Sequence, residues 1–429
     1  MALKFFRCLL CMVMPLVCTV SCASAPSPAA TVASAAMMPR GSFIQSHLCM
    51  DWDDARWQSE FGSMREAGMD FIILMTTAET DTAGVTRAIY PTAIEGIQPS
   101  RHDLVEACLR NAKNAGMKVM VGLNFDEHWW RIADGSSPVW LEQRLLQGNE
   151  IAAEIMRNYF PRYSDVISGW YWVWEIEPSF CANPIVMEVL TQALNVNLDF
   201  LHSLKPSLPV MLSPFMNCSL GDSDNCARVW KQILTNAHFA DGDIFAPQDC
   251  IGSGYLTPDC VEEWFSKLHD IIPANPAVRF WANIELFDQR FWTSADVGRV
   301  KRQHDVLAPY VDGFISFAYS HYVSPHYKNP ALHRAYCEWV RSGELEVHDA
   351  PHSVSGLCYA DGMLKWNAVV GNEWLMGYRV RRDGVLVADI QLNRQGDCRC
   401  SVGVTQTGEY SVTAYDVWGV ESLPAILIR

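Results

Sequence analysis

The stretch Asp103-Leu-Val-Glu-Ala-Cys-Leu-Arg-Asn-Ala-Lys-Asn-Ala-Gly116-Met-Lys-Val-Met-Val-Gly-Leu-Asn124 joins an amphipathic pattern to a short apolar run through one glycine. The apolar residues before Gly116 recur at helical spacing, and those after it form a continuous run, as in a strand buried on both faces. Glycine is the residue that most readily ends a helix. The same arrangement, a glycine that ends a helical pattern directly before an apolar run, occurs one unit earlier at Glu66-Ala-Gly68.

Eight such apolar runs occur between residues 41 and 343, with helical patterns between them. The predicted strands are residues 42–47, 70–76, 118–124, 167–174, 209–214, 243–247, 278–284 and 313–319. Eight β-then-α units in about 300 residues predict an α/β fold, a (β/α)8 TIM barrel over residues 41–343. A doubly wound open sheet is the alternative, but no glycine-rich phosphate loop follows the first run.

The sequence pattern changes after Ser342: helical periodicity stops, and residues typical of turns become frequent. The segments Leu364-Lys-Trp366, Gly377-Tyr-Arg-Val380 and Gly408-Glu-Tyr-Ser-Val412 indicate short strands at the spacing of a β-sandwich. We expect a small all-β immunoglobulin-like sandwich over residues 350–429. In the order of its Trp, Asp-Gly turn and late Tyr-x-Val strand, it resembles a fibronectin type III module.

Composition narrows the class of partner. The chain has a formal net charge of −15 and no basic runs. Such a protein is a poor candidate for binding nucleic acid or anionic lipid. The 16 tryptophans are compatible with a sugar-binding cleft, since indole rings stack on the apolar faces of sugars. We expect a monomer that acts on an oligo- or polysaccharide, and nothing in the sequence requires a cofactor or a metal.

The N-terminus is typical of an export signal, with Lys4 and Arg7 ahead of an apolar run over residues 9–20. Residues 1–22 are interpreted as a signal peptide of the lipoprotein type, with Cys22 as the lipidated residue, and residues 23–40 as a flexible linker. Cleavage after Ala25 is the alternative. The predicted location is the periplasm or the cell surface, with membrane attachment only through the lipid.

The cysteines are scattered, and none of the spacings is that of a zinc site. Most are interpreted as small buried apolar residues. In an oxidising compartment, Cys218 and Cys226 are a candidate disulfide pair.

Two glutamates stand where predicted strands end. Glu175 closes the aromatic run Gly169-Trp-Tyr-Trp-Val-Trp-Glu175, and Glu285 closes the seventh predicted strand. In a barrel these ends face one another across the mouth, where a retaining glycosidase needs two carboxyl groups roughly 5–5.5 Å apart. We expect Glu175 to be the acid/base and Glu285 the nucleophile. Glu177 is an alternative acid, and a structural ion-pair or loop role is the alternative for each.

Polar and aromatic residues follow the other predicted strands, as hydroxyl-rich substrates require. Those assigned to substrate binding, together with Glu177, are Gln45, Asn124, Asp126, Trp129, Trp130, Trp174, Asn217, Gln248, Asp249, Tyr319, His321 and Tyr322. Among them Trp129, Trp130 and Trp174 are expected to stack on the sugar.

The chain resembles the bacterial domain-of-unknown-function family 4434, which is grouped with TIM-barrel glycosidases. The matching stretches are Phe43-Ile-Gln-Ser-His-Leu-Cys-Met-Asp-Trp52, Gly122-Leu-Asn-Phe-Asp126, Gly169 to Glu175, Phe245-Ala-Pro-Gln-Asp249 and Phe317-Ala-Tyr-Ser-His-Tyr322. The resemblance implies a hydrolase-like barrel and no particular sugar.

A looser similarity connects the chain to retaining glycosidases with the acid/base after strand four and the nucleophile after strand seven. Glu175 and Glu285 match those places, but Trp174 stands where that clan has an asparagine. In that clan the asparagine contacts the 2-hydroxyl of the sugar, and Asn217, Asn124 or Gln248 are candidates for this contact here. The sequence thus predicts an exported glycoside hydrolase.

Three alternatives remain open. One is a carbohydrate-binding barrel without turnover. The second is a metal-dependent hydrolase that uses His47, Asp126, His128 and Asp249. The third is a cysteine hydrolase built on Cys250.

Overall fold

The computed structural model describes residues 37–132, 137–179 and 182–429, and the fold is a closed barrel of eight strands followed by antiparallel sheets. Numbered one to eight along the chain, the barrel strands are Gly41–Ile44, Phe71–Leu74, Lys118–Gly122, Ile167–Trp172, Val210–Leu212, Ile244–Phe245, Arg279–Glu285 and Gly313–Phe317.

Every barrel strand pairs in parallel with its neighbours in chain order, and strand one closes the ring by pairing with strand eight. Gly41 lies opposite both Phe71 and Ile315 at this seam. All eight predicted strands are present, so the barrel is confirmed. Most of the strands are shorter than predicted. After strand one, for example, the polar stretch Ser46–Cys49 forms a short helix instead of extending the strand.

Helices surround the barrel and connect its strands. They are Ser46–Cys49, Asp54–Glu66, Leu104–Ala115, Trp129–Ile132, Pro138–Asn158, Phe160–Tyr163, Pro184–Leu204, Ser223–Asn236, Val261–Ile271, the 3-10 turn Ile272–Ala274, Val297–Leu307, Tyr319–Tyr322 and Pro330–Ser342. Aspartates cap several of them: Asp103 accepts the N–H of Glu106, and Gly116 ends the same helix with a left-handed backbone (φ 67°).

Two short sheets extend the mouth of the barrel beyond the strand ends. The first contains Ala78–Thr80, Thr86–Ala88, Ile97–Gln98 and Asn124–Asp126 and lies beyond strands two and three. The second is the hairpin of Phe287–Asp288 with Thr293–Ser294, directly after strand seven. Both therefore lie on the face where strand C-termini end.

The C-terminal region consists of two antiparallel sheets that share one apolar core. One sheet contains Ser355–Ala360, Met363–Asn367 and Ser401–Gly403, and the other contains Leu375–Arg382, Val385–Gln391, Glu409–Asp416 and Ala425–Ile428. Leu364 and Trp366 of the first sheet pack with Tyr378 and Val412 of the second. The all-β prediction is confirmed, and the fibronectin type III assignment stays a prediction.

The C-terminal sheets are attached to the barrel next to strand seven. Arg379 forms an ion pair with Asp296 at 2.8 Å, and the N–H of Val297 donates to the carbonyl of Val417 at 2.8 Å. The backbones approach so closely that a Cβ on Gly298 would lie 2.2 Å from the carbonyl oxygen of Trp418. The start of the helix Val297–Leu307, which follows that hairpin, is therefore fixed against the C-terminal region.

Three sequence expectations concern other parts of the chain. The proposed signal peptide, Cys22 and most of the linker lie outside the described residues. Cys218 is exposed, Cys226 is buried on the helix Ser223–Asn236, and no disulfide joins the two, so the predicted pairing is wrong. Within the three described ranges, the helices are too short or too polar to cross a bilayer.

Candidate active site

Glu175 lies at the mouth of the barrel, three residues after the end of strand four. It lines a cavity formed by the ends of strands one to four, together with Gln45, His47, Met75, Thr76, Glu79, Phe125, Trp130 and Val173. Burial raises the pKa of the Glu175 carboxyl from 4.5 to about 7, and a hydrogen bond from Gln248 opposes part of that rise. This carboxyl can therefore hold a proton near neutral pH.

Glu285 is the last residue of strand seven, and only 2 % of it is exposed. The turn that begins at Gly252 covers it, and the N–H of Ser253 donates to Oε2 of Glu285 at 2.7 Å. A Cβ on Gly252 would lie 2.9 Å from the Cβ of Glu285 and 2.4 Å from the carbonyl oxygen of Phe287. Glycine at this position allows the turn to lie directly on the carboxylate.

Asp249 lies directly behind Glu285 and is completely buried. Its Oδ1 accepts the N–H of Glu285 at 3.3 Å, and its Oδ2 accepts the amide of Gln303 at 2.5 Å. Burial and the neighbouring carboxylate of Asp249 raise the pKa of Glu285. Burial also raises the pKa of Asp249, while its hydrogen bond from Gln303 and the charge of Arg299 lower it. Two adjacent buried carboxyls thus compete for one negative charge.

Arg299 supplies the positive charge beneath this pair. Its Nη2 donates to the carbonyl oxygens of Glu285 at 3.0 Å and Phe287 at 2.5 Å, which fixes the end of strand seven. The charge of Arg299 lowers the pKa of both Glu285 and Asp249. It therefore favours ionisation of the nucleophile candidate even though burial opposes it.

Residues after strand six connect the two glutamates. Gln248 reaches Glu175 through its side chain, and its backbone bridges to Asn283 of strand seven. The thiol of Cys250 feels the charges of Glu285, Asp249 and Glu175 together, so these three carboxyls surround one small region. The two predicted catalytic glutamates are therefore brought together at one end of the barrel.

The cavity wall contains aromatic rings suited to a sugar face. Trp130 is 37 % exposed, and its ring centroid lies 5.7 Å from that of Phe125 and 6.5 Å from that of Phe215. Tyr255 extends this wall, 5.9 Å from Phe215. Among the three tryptophans expected to stack on substrate, Trp130 is the one that lines the cavity.

Several predicted binding residues support the mouth from behind instead of lining its surface. Trp129 donates its Nε1–H to the carbonyl of Glu175 at 3.0 Å, and Trp174 packs against Phe125, Trp129 and Trp140. The others, each buried with a partner, are Asn124 (Arg144 carbonyl), Asp126 (His128 N–H), Asn217 (Ser219) and Tyr319 (His333).

Glu177 differs from Glu175 in its surroundings. It is buried, and its carboxylate accepts the N–H and the hydroxyl of Ser179 at 2.8 and 3.2 Å. A carboxylate held by its own loop is less suited to donate a proton to substrate than one that lines a cavity. The geometry favours Glu175 as the acid.

His321 and Tyr322 form the opposite side of the mouth, after strand eight. The ring of Tyr322 stacks on Phe287 at 5.3 Å, and burial together with the charge of Glu285 raises the pKa of Tyr322 to about 12. His321 lies 5.5 Å from His47, measured between ring centroids. Tyr322 is thus a neighbour of the nucleophile candidate, and His321 connects to the cavity through His47.

Glu79 is a cavity residue that the sequence reasoning missed. Its Oε1 accepts the hydroxyls of Thr76 at 2.5 Å and Ser46 at 3.2 Å, and it lines the same cavity as Glu175. The signal was the polar run Thr76-Thr-Ala-Glu79 after strand two, the one strand end omitted from the survey of polar residues. Glu79 is therefore a second carboxylate available to substrate.

The structure gives little support to the metal-dependent hydrolase or to the cysteine hydrolase. Within the described ranges, no three His, Cys, Asp or Glu side chains are grouped to hold a metal ion. Asp126 and His128 line a separate depression with Asp81, whereas His47 lines the cavity that contains Glu175. The thiol of Cys250 is buried among carboxylates, which raises its pKa well above the usual value and opposes a nucleophilic role.

Comparison with known proteins identifies the family and the fold. The family profile described as "Domain of unknown function (DUF4434)" matches residues 40–329. No curated protein sequence matches the chain. A Bacteroides thetaiotaomicron protein provisionally assigned as an alpha-L-fucosidase is similar in structure, with 19% identity and a TM-score of 0.58 over 72% of this chain and 93% of that one.

Two further structures are more distant. They are the intracellular xylanase of Thermoanaerobacterium saccharolyticum (TM-score 0.43, 11% identity, 66% of this chain and 86% of that one) and the endo-1,4-beta-mannanase of Rhizomucor miehei (TM-score 0.43, 12% identity, 67% and 88%). The likeness to the Bacteroides protein, at 19% identity, shows a shared fold alone.

Proposed function

Since this chain belongs to the DUF4434 family and has a glycosidase-like barrel, we propose that it is a glycoside hydrolase that works through Glu175 and Glu285. The observation that carries the proposal is the convergence of these two carboxyls. They come from strands four and seven, and Gln248 and Cys250 lie next to both strand ends. A glycosidase requires such a pair across one mouth.

The reaction gives the two carboxyls different roles, although burial raises the pKa of both. Glu175, with a pKa raised to about 7, donates its proton to the glycosidic oxygen as the bond from that oxygen to the anomeric carbon breaks. An ionised oxygen of Glu285 forms the new bond to the anomeric carbon. Water then attacks that carbon and gives its proton to Glu175, which releases the sugar and restores both carboxyls.

Entry of substrate requires a movement near Glu285. In this structure the turn at Gly252 and Ser253 covers the carboxylate. The proposal therefore includes displacement of this turn by a bound sugar, whose hydroxyls replace the hydrogen bond from Ser253. The turn is joined to the hairpin after strand seven by the N–H of Gln289, which donates to the carbonyl of Gly252 at 2.8 Å.

The remaining assignments concern the substrate and its location. Trp130 stacks on a sugar face, while Gln45 and Gln248 contact hydroxyls from the cavity and from strand six. We place the protein outside the cytoplasm, delivered by the N-terminal signal and held by a lipid on Cys22. It acts there as a monomer on an oligo- or polysaccharide.

The experiment is a survey of polysaccharides and aryl glycosides with products identified by mass spectrometry. Wild type is compared with Glu175→Gln, Glu285→Gln and the control Glu142→Gln, which changes an exposed glutamate on the outer helix Pro138–Asn158. The proposal predicts sugar release by wild type and the control, with a loss of at least about a hundredfold in the two site variants. Binding without release by wild type would instead support the non-catalytic barrel.

A further inference from the structure

A group of basic side chains lies beyond the ends of strands one and eight, beside the two glutamates described above. His47 and His321 face each other at 5.5 Å, and the ammonium of Lys328 lies 5.5 Å from the ring centroid of Tyr322. The charge of Lys328 reaches His321, so the three form one cluster. We call His47, His321 and Lys328 the basic corner.

Lys328 forms no ion pair with an acidic side chain within the described ranges, and its ammonium faces the ring of Tyr322. The absence of a partner is unexpected in a chain with 48 acidic and 33 basic residues. Lys328 is half-buried, and burial lowers the pKa of its ammonium. Removing a cation from water without a counterion costs free energy, and such sites are usually completed by an anion.

His321 provides a second, independent sign of an incomplete site. Its Nε2 is buried and has no hydrogen-bond partner among the described residues. Burial lowers the pKa of His321 to about 3, so the ring is neutral and carries one N–H donor. Buried polar atoms are nearly always paired, and an orphaned one near an unpaired cation indicates an incomplete polar site.

The basic corner opens onto the proposed active site. His47 lines the cavity that contains Glu175, and Tyr322, which the ammonium of Lys328 faces, lies next to Glu285. Two carboxylates line the same cavity: Glu79, which accepts the hydroxyl of Ser46 next to His47, and Glu175. An anionic substituent on a bound sugar would be repelled by these carboxylates and attracted to Lys328, which would orient the ring.

From this placement we infer that the basic corner binds an anionic substituent of the substrate, so that the enzyme acts on acidic glycans: those with a uronate carboxylate or a sulfate ester. Lys328 provides the charge, and His321 is the nearby donor. This inference rests on the proposed glycosidase function and narrows its substrate class.

The test measures binding, so that it does not depend on turnover. Glu175→Gln is titrated by calorimetry with three acidic oligosaccharides and their neutral counterparts. The pairs are tetragalacturonate with galactotetraose, glucuronate-branched with unbranched xylopentaose, and a chondroitin sulfate hexasaccharide with its desulfated form. The first two pairs probe a carboxylate without sulfate, and the third isolates the sulfate.

The same titrations are repeated with Lys328→Met, Lys328→Arg and the control Lys231→Met, an exposed lysine of the helix Ser223–Asn236. We expect one acidic probe to bind at least about tenfold more tightly than its neutral pair, and Lys328→Met to remove that preference. Lys328→Arg keeps part of it, and Lys231→Met keeps all of it.

Equal binding within every pair, or an unchanged preference in Lys328→Met, overturns the inference. A protein that binds acidic oligosaccharides but cleaves none contradicts the hydrolase proposal and leaves the basic corner supported. A protein that binds and cleaves only the neutral probes supports the hydrolase proposal and overturns the inference about the basic corner.

Discussion

Asp249 holds Glu285 from behind: its carboxylate accepts the backbone N–H of Glu285 at 3.3 Å, inside a buried network completed by Gln303. The arrangement positions the end of strand seven and places a negative charge beside the nucleophile candidate. That charge works against ionisation of Glu285, while Arg299 works for it. The ionisation of Glu285 is therefore set by residues that the substrate does not touch.

Replacing Asp249 should change the pH dependence of activity in a defined direction. The acid limb of kcat/KM reports ionisation of Glu285, whose pKa is raised by burial and, to a smaller extent, by the carboxylate of Asp249. Asp249→Asn removes that charge, lowers the pKa of Glu285 and moves the acid limb to lower pH. The exposed Asp270→Asn is the control. An acid limb that stays in place or moves to higher pH would show that Asp249 does not act on Glu285 in this way.

Glu175 should reduce the stability of the protein above neutral pH. Its pKa rises from 4.5 to about 7 on folding, so the folded state binds the proton more tightly than the unfolded state does. The stability that this proton gives the folded state is lost as pH rises from 4.5 through 7. Glu175→Gln carries no such penalty. We expect it to be more stable than wild type at pH 8, by up to about 3 kcal/mol, with a smaller difference at pH 5. Urea unfolding at both values measures this, and an equal difference at the two would refute the raised pKa.

Trp130 should contribute to binding more than to chemistry. Its exposed ring lines the cavity beside Phe125 and is positioned to stack on a sugar. Stacking is present in both ground state and transition state, so Trp130→Ala should raise KM roughly tenfold and change kcat little. Trp130→Phe should retain most of the affinity. A loss confined to kcat would assign Trp130 to the reacting centre instead.

The C-terminal sheets should rigidify the hairpin after strand seven. Gln391 accepts the N–H of Ser294 at 2.9 Å and donates to its carbonyl at 2.8 Å. Gln391→Ala removes both bonds, which together are worth about 2 kcal/mol. Amide hydrogen exchange over residues 287–294 should therefore accelerate by roughly tenfold or more. Gln395→Ala, in an exposed loop, is the control, and equal exchange in the two variants would deny the C-terminal sheets this role.

The parts of the site that local pattern determines could be predicted. Strand periodicity located the ends of strands four and seven, and barrel topology then brought Glu175 and Glu285 to the same face. The pattern could not show which side of an aromatic strand faces the core. Trp174, expected to contact substrate, is enclosed by Phe125, Trp129 and Trp140, all of which lie between strands three and four in the chain.

Non-local contacts explain what the sequence could not reveal. Glu79 reaches the cavity because Ala78 pairs with Asn124, more than 40 residues away along the chain. The cover over Glu285 depends on the fit of Gly252 against Phe287, and the unpaired state of Lys328 depends on every neighbour of its ammonium. None of these relationships has a signature in the local sequence.

The central claim is that Glu285 attacks the sugar while Glu175 supplies the proton. It is tested most directly by treating the protein with an activated 2-deoxy-2-fluoro glycoside of whichever sugar it releases, followed by peptide mass spectrometry. The account predicts one glycosyl group per chain, attached to Glu285, and rapid labelling even in Glu175→Gln, because the activated leaving group needs no acid. Attachment to Glu79 or Asp249, or release of sugar with inverted configuration and no labelled peptide, would contradict it.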